Sequence, residues 1–149
     1  MALIDLITEE IVKIPLEATT KTEVIAELID VLAKAGKIQD KQKASEAVQK
    51  RENLGSTGLE KGIAVPHAKT DQVSTLTLAI GISFKGIDFN AVDGKPSKVF
   101  FLMLAAPDQS GPHIEALSEI ARMTRSETFC RMLTSTTTAK EVVELFKEE

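Results

Sequence analysis

Two kinds of hydrophobic spacing alternate along this chain of 149 residues, one with the period of a helix and one with the period of a strand. The first clear helix is predicted between Thr20 and Gly36. Thr20 and Glu23 have the spacing of a capping box, and glycine is a residue that commonly ends a helix. The apolar residues between them recur every three or four positions: Val24, Ile25, Leu28, Val31, Leu32 and Ala35.

A second helix is predicted to begin after Asp40, whose side chain can cap it. The residues that share one face at helical spacing are Ala44, Ala47, Val48 and Arg51. Arg51 therefore occupies a place that the pattern otherwise gives to apolar side chains. The segment 53–62 follows, and its three glycines predict a loop whose backbone can approach a ligand closely.

Strand patterns dominate the middle of the chain. Residues 63–65 predict a short strand that Pro66 ends, because proline donates no ladder hydrogen bond, and His67 is then expected at the strand exit. The apolar run 99–106 suits a central strand covered on both faces. Residues 75–84 alternate strictly, and one face of this strand is expected to hold Leu76, Leu78, Ile80, Ile82 and Phe84.

The last third of the chain returns to helical spacing. Residues 108–111 predict a loop, Pro112 suits the first helical position, and His113 then lies in the first helical turn. The apolar stripe of this helix is expected to be Ile114, Leu117, Ile120 and Ala121. Two more helices are predicted, one around Phe129, Met132 and Leu133 and one after the capping box of Thr138 and Glu141. The whole pattern predicts one domain, residues 1–149, with an α/β three-layer sandwich fold in which a mixed β-sheet is flanked by helices on both faces.

Composition excludes several classes of protein. A net charge of −4 and a pI near 5.3 argue against a protein that binds a nucleic acid backbone. The apolar run 99–106 is far shorter than the ~20 residues that span a bilayer, and Met1–Glu10 has no basic residue to open a signal peptide. A cytoplasmic protein without membrane insertion is therefore expected. The single Cys130 can form no internal disulfide and is predicted to be a buried apolar filler.

The two histidines are the best candidates for chemistry, since each lies at the boundary of an element. A neutral imidazole such as that of His67 can attack phosphorus near neutral pH, provided that cations offset the charge of the arriving group. Arg51 can supply a guanidinium, and His113 lies where a helix N-terminus favours an anion. The hydroxyls of Ser56 and Thr57 are weaker candidates for binding phosphoryl oxygens.

Each of these residues also has a structural interpretation. His67 can be a cap or a solvated residue, Arg51 can extend to solvent from the helix end, and the glycine segment can be a surface turn, since it lacks the lysine and spacing of a P-loop. A Ser/His/Asp hydrolase that uses Ser56 or Ser110 with His67 is formally possible, although the sequence has no G-x-S-x-G elbow.

Two blocks of sequence resemble a known family. RENLGSTGLEKGIAVPHAKTD, residues 51–71, resembles the phosphorylation-site signature of the fructose/mannitol family of enzyme IIA proteins in the bacterial sugar phosphotransferase system. GIDFNAVDGKPSKVFFLMLAAPDQSGPHIEALSEIARM, residues 86–123, resembles its second block, and the openings and endings also match, so the resemblance covers nearly the whole chain. One departure is Ala68, where the family commonly has glycine.

This resemblance implies a phosphocarrier that needs no metal or nucleotide. It implies that His67 accepts a phosphoryl group on Nε2 from phosphorylated HPr and passes it to a cysteine of enzyme IIB. Nδ1 is then expected to be oriented by a hydrogen bond, for which a backbone carbonyl is a candidate acceptor. His113 is implied to lie beside His67, and Arg51 to help hold the phosphoryl group. An apolar rim around His67 is expected from Leu59, Ile63 and Val65.

The family has two branches, and both remain open at this point. The Ala-Ala-Pro segment and the HIEALS helix start are closer to the fructose transport branch, in which enzyme IIB would be a separate chain. The alternative is a nitrogen-type regulator, which shares the phosphorylation site but binds and controls other proteins according to its phosphorylation state.

Overall fold

A computed structural model describes residues 3–148 of the chain. Met1, Ala2 and Glu149, which the predicted domain includes, lie outside the described residues. Two short 3₁₀ helices, Leu3–Leu6 and Glu9–Ile11, precede the first strand. The strands in the described part are β1 (Val12–Lys13), β2 (Ile63–Ala64), β3 (His67–Lys69), β4 (Thr77–Ile87) and β5 (Ser97–Ala105). The helices there are α1 (Lys21–Lys34), α2 (Lys41–Glu52), α3 (Ser110–Met123), α4 (Glu127–Thr134) and α5 (Ala139–Lys147).

The five strands form one mixed sheet in the order β1-β4-β5-β2, and β3 continues along the same side of β5 as β2. β4 and β5 are antiparallel, whereas β1 is parallel to β4 and both β2 and β3 are parallel to β5. α1 packs on β4 and α2 on β3, while α3 and α4 pack on β5 and α5 on β1. The predicted α/β sandwich with a mixed sheet and helices on both faces is confirmed.

The core is centred on β5, whose residues from Val99 onward are buried as the continuous apolar run predicts. Phe101 makes an edge-to-face contact with Phe146 of α5, with the ring centroids 6.0 Å apart. On the neighbouring strand, a Cβ atom at Gly81 would lie 2.8 Å from Leu16 and 2.9 Å from Leu28 of α1. A glycine is therefore needed there for α1 to pack closely on the sheet.

The predicted helix caps of α1 and α2 are present. Thr20 and Glu23 form a complete capping box, and Asp40 accepts a hydrogen bond from the Lys43 amide. Cys130 is buried as predicted, and burial raises the pKa of its thiol. None of the helices within residues 3–148 is long and apolar enough to cross a membrane.

Two predicted faces are wrong in detail. The alternation in β4 fails at Phe84, which is 49% exposed, because the register with β5 shifts between Ile82 and Ile87. α3 begins at Ser110, before Pro112, and the predicted stripe residue Ile114 is 63% exposed. The buried face of this helix consists of His113, Ala116, Ile120 and Met123. His113 takes the place in the core that the pattern assigned to an apolar side chain.

Candidate active site

His67 follows the end of β2 and Pro66, as predicted, but it is also the first residue of a further short strand, β3, which was not predicted. Pro66 donates no hydrogen bond, but its carbonyl accepts one from the Met103 amide at 3.0 Å, so the chain stays alongside β5. His67 is then in register with Met103, near the carboxyl end of the buried central strand. The half-buried imidazole is thus carried by a strand that pairs directly with the buried central strand.

The His67 ring is oriented by its own backbone neighbourhood. Nδ1 lies 2.8 Å from the carbonyl oxygen of Val65. Because a carbonyl oxygen can only accept, Nδ1 carries the proton in this hydrogen bond. The neutral ring then has its lone pair on Nε2, which is the nitrogen that the resemblance implies as the phosphoryl acceptor.

His113 lies directly beside His67. The two ring centroids are 5.0 Å apart and the planes are inclined by 77°. His113 is only 6% exposed, and its Nε2 atom is buried without a hydrogen-bond partner among the described residues. Burial, then the nearby charges of His67 and Lys69, lower the pKa of His113 to about 4. This imidazole is therefore neutral at pH 7 and has one polar atom that a bound group can satisfy.

Lys69 is a site residue that the sequence reasoning missed. Its Nζ atom donates a hydrogen bond of 2.7 Å to the Ser110 hydroxyl, in the first turn of α3. Residues two apart in a strand point to the same face, so the spacing from His67 to Lys69 was the available signal. The lysine places a cation near His113, whose pKa it lowers, and on the same face of β3 as His67.

Arg51 lies in the last turn of α2, which packs against β3. Its predicted place on the buried face is wrong, since that face consists of Ala44, Val48 and Glu52, spaced four residues apart. Arg51 lies on the half-buried flank, where Nη1 donates a hydrogen bond of 3.0 Å to the carbonyl of Gly55 and not to either imidazole.

The pair of histidines and the adjoining loop lie within the part of the chain that matches a known family. A family model described as "Phosphoenolpyruvate-dependent sugar phosphotransferase system, EIIA 2" matches residues 5–149. The chain belongs to this EIIA 2 family.

Two of the relatives are components of fructose-specific phosphotransferase systems. The chain is 34% identical over 148 residues to the PTS system fructose-specific EIIABC component of Bacillus subtilis. This alignment covers 99% of this chain but 23% of that protein. The chain is also 38% identical over 113 residues to the PTS system fructose-specific EIIA component of Haloferax volcanii. This alignment covers 76% of this chain and 73% of that protein. The EIIA 2 chain thus spans about a quarter of its Bacillus relative.

Two solved structures have the same fold. Nitrogen regulatory protein IIA-Ntr from Neisseria meningitidis is 26% identical with a TM-score of 0.88, over 96% of this chain and 97% of that one. The IIA protein in the complex of enzyme IIAMTL and phosphorylated enzyme IIBMTL from Escherichia coli is 25% identical with a TM-score of 0.80, over 95% and 97%. The relatives of this EIIA 2 chain therefore include both sugar-transport and regulatory proteins.

The glycine loop of the EIIA 2 chain is held by a buried carboxylate that the sequence reasoning missed. Glu52 is 4% exposed and accepts hydrogen bonds from the Thr57 amide at 2.8 Å and the Thr57 hydroxyl at 2.6 Å. Its other close partner is Lys21 of α1, at 2.9 Å. This arrangement fixes the end of α2, the loop and α1 relative to one another.

The two hydroxyls predicted to bind phosphoryl oxygens have other partners. Ser56 donates to the carbonyl of Phe89 at 2.7 Å, and Thr57 donates to Glu52. Each hydroxyl has a single proton, so neither is free to donate in this conformation. Their phosphoryl-binding role stays a prediction, and the structure gives both a role in holding the loop.

Of the three residues predicted for the apolar rim, two are buried and one, Leu59, is half-buried. Ile63 is fully buried, Val65 is 7% exposed and Leu59 packs partly against the core. The exposed apolar side chains nearest in the chain to Arg51 and His113 are Leu54, at 82%, and Ile114, at 63%. A helix turns its neighbouring residues to different faces, so the burial of His113 leaves Ile114 outside.

Proposed function

We propose that this EIIA 2 protein is a histidine phosphocarrier, in which Nε2 of His67 accepts a phosphoryl group from phosphorylated HPr and passes it to enzyme IIB. The observation that best supports this is the hydrogen bond from Nδ1 of His67 to the Val65 carbonyl. In this tautomer the lone pair is on Nε2, on a ring whose strand pairs with the central strand β5, and no separate base is needed to remove a proton.

The transfer step follows from this tautomer. The Nε2 lone pair of His67 attacks phosphorus as the P–N bond of the donor phosphohistidine breaks, and the electron pair of that bond returns to the donor imidazole. His67 keeps its Nδ1 proton throughout. The positive charge that forms on the ring is stabilised by the Val65 carbonyl, 2.8 Å away.

The surrounding side chains offset the charge of the phosphoryl group. Lys69 brings an ammonium beside the ring, and Arg51 brings a guanidinium to the adjacent loop. His113, as the Nε2–H tautomer, donates a hydrogen bond to a phosphoryl oxygen and so satisfies its buried nitrogen. The protein contributes positioning and charge stabilisation to an in-line transfer.

Onward transfer is proposed to go to the cysteine of a separate enzyme IIB chain for sugar uptake, in the cytoplasm. The fructose-specific relatives support this branch, and the fold is shared with an enzyme IIA structure solved with phosphorylated enzyme IIB. The encounter is brief, because a carrier that held either partner tightly would turn over slowly.

A second candidate function is regulation by phosphorylation state. The observation that favours it is the match to nitrogen regulatory protein IIA-Ntr, with a TM-score of 0.88. In this case the phosphoryl group on His67 changes the surface that another protein binds, and no enzyme IIB is needed.

Intact-protein mass spectrometry tests the phosphocarrier proposal. The protein is incubated with phosphoenolpyruvate, enzyme I and HPr, beside the variants His67→Ala and His113→Ala. We expect one acid-labile phosphoryl adduct on the parent and on His113→Ala, and none on His67→Ala. An adduct of equal yield on His67→Ala, or none on the parent with a verified donor system, would overturn the assignment.

The two branches are separated by a second measurement on the phosphorylated protein. If the protein serves sugar uptake, enzyme IIB of a fructose system should remove the phosphoryl group from His67 within the time of a transport cycle. A phosphohistidine that persists, together with a partner bound only by one phosphorylation state, would favour regulation.

A further inference from the structure

A lysine-lined groove of about 790 Å³ lies at the end of the sheet away from His67. Four lysines from three separate segments face it: Lys61, Lys85, Lys95 and Lys98. Lys98 comes five residues before Met103, the register partner of His67, which places the groove roughly 17 Å along β5 from the histidine. The groove therefore belongs to a different surface from the proposed phosphorylation site.

Charge is segregated around this groove. Its three acidic residues are Glu60, Asp93 and Glu127, and Arg125 and Arg131 lie in adjoining cavities. Six of the chain's 18 basic residues and three of its 22 acidic residues thus meet here, which leaves 12 basic and 19 acidic residues elsewhere. A cationic region on an acidic protein attracts an anionic partner to one place.

Three of the four groove lysines form no ion pair among the described residues. No carboxylate lies within 4.0 Å of the Nζ atoms of Lys85, Lys95 and Lys98 in the described part of the chain. The Asp93 carboxylate instead accepts hydrogen bonds from the backbone amides of Lys95 and Lys61, which lower its pKa. Its oxygens are therefore engaged within the turn.

Lys61 occupies a backbone conformation in which lysine is unfavourable. Its φ angle is +61°, in the left-handed region that most side chains avoid and that asparagine tolerates well. Its Nζ atom donates to the carbonyl of Arg125 at 3.3 Å. Asparagine would suit this backbone conformation better than lysine does.

An apolar section adjoins the lysines. A cavity of about 270 Å³ shares Lys61 with the groove and is lined by Leu59, Val92 and Ala121. Val92 is 74% exposed. Cationic and apolar sections therefore meet at Lys61.

We propose that this groove docks an acidic segment of a partner protein that carries one or two apolar side chains beside its carboxylates. A flat bilayer would not enter a concave surface that also has an apolar section. No aromatic side chain lines the groove in the described residues, as stacking with single-stranded nucleic acid would require. Four flexible lysines on separate segments suit a spread of carboxylates better than one small anion.

The proposal is tested with a labelled 12-residue peptide of alternating glutamate and leucine, titrated into the ¹⁵N-labelled protein at low salt. We expect shift changes at Lys61, Lys85, Lys95, Lys98 and Val92, with His67 and His113 unchanged. The triple variant Lys85→Gln/Lys95→Gln/Lys98→Gln should bind about tenfold more weakly, from three exposed ion pairs. Lys61→Asn should also weaken binding while folding at least as stably as the parent.

A control triple variant, Lys43→Gln/Lys140→Gln/Lys147→Gln, makes the same change of charge outside the groove and should bind like the parent. An equal loss of peptide affinity in both triple variants would mean that the peptide binds through general electrostatic attraction, and this would overturn the proposal. So would stronger binding of anionic vesicles or oligonucleotides, shifts at the same residues with inorganic phosphate alone, or self-association of the protein. Phosphorylation of His67 should be normal in the groove variant, so this test is independent of the phosphocarrier proposal.

Discussion

At the scale of single residues, the buried imidazole of His113 makes folding depend on pH. Its pKa is about 4 in the folded protein and near 6.5 in the unfolded chain, so between these values the unfolded chain binds more protons. The free energy of unfolding should therefore fall as the pH drops from ~6.5 to ~4, by up to about 3 kcal/mol, with no further contribution below.

Urea unfolding at pH 7, 5.5 and 4.5 checks this prediction. His113→Gln cannot take up the proton, so its stability should change less over this range than that of the parent. Hydrogen bonds lower the pKa of Asp30 and Asp93 in both proteins, and their contributions cancel in the comparison. Parallel pH curves for the two proteins would contradict the role given to His113.

Lys69 is the other residue whose part can be isolated. Replacing it with methionine keeps the length of the side chain and removes the charge, so phosphoryl transfer to His67 should slow about tenfold while stability stays within about 0.5 kcal/mol. Rapid-quench phosphorylation measures the rate. Ser110→Ala, which removes the partner of Lys69 but not its charge, should have a smaller effect. An unchanged rate of phosphoryl transfer in Lys69→Met would mean that the lysine is a surface residue with no part in the transfer.

At the scale of elements, the buried Glu52 ties α2 to α1 and to the glycine loop. Glu52→Gln keeps the shape but leaves the Lys21 ammonium without its anion, so we expect a loss of about 2 kcal/mol and faster hydrogen exchange at the Thr57 amide. Lys21→Met should restore part of this stability in the double variant. Additive losses in the two single variants would mean that the pair is not coupled.

The elements themselves were largely predictable from sequence, because caps and hydrophobic periods act within one segment. The caps of α1 and α2 and the buried run of β5 agree with their patterns. The face of α2 was not predictable, since Glu52 lies in the core only through partners on α1 and the loop. Phe84 is exposed for a similar reason, because its position depends on the register between two strands.

At the scale of the whole molecule, stability and chemistry depend on different residues. Phe100→Ala removes a fully buried ring from the central strand and should cost about 3–5 kcal/mol, whereas His67→Ala, at the half-buried edge strand, should cost less than about 1 kcal/mol. Chemical denaturation of both variants measures these costs. A large loss of stability in His67→Ala would mean that its lost phosphorylation reports on folding and not on chemistry.

The sequence alone determined the fold class, the family and the two histidines as candidates, because hydrophobic period, capping residues and the block around His67 are all local in the chain. The resemblance implied that His113 lies beside His67, but only the tertiary structure decided that His113 is buried, that Lys69 lies near it, and that the lysines gather at the far end of the sheet. These contacts join segments that are distant in sequence. They depend on strand register and on the packing of helices against the sheet, which no local pattern specifies.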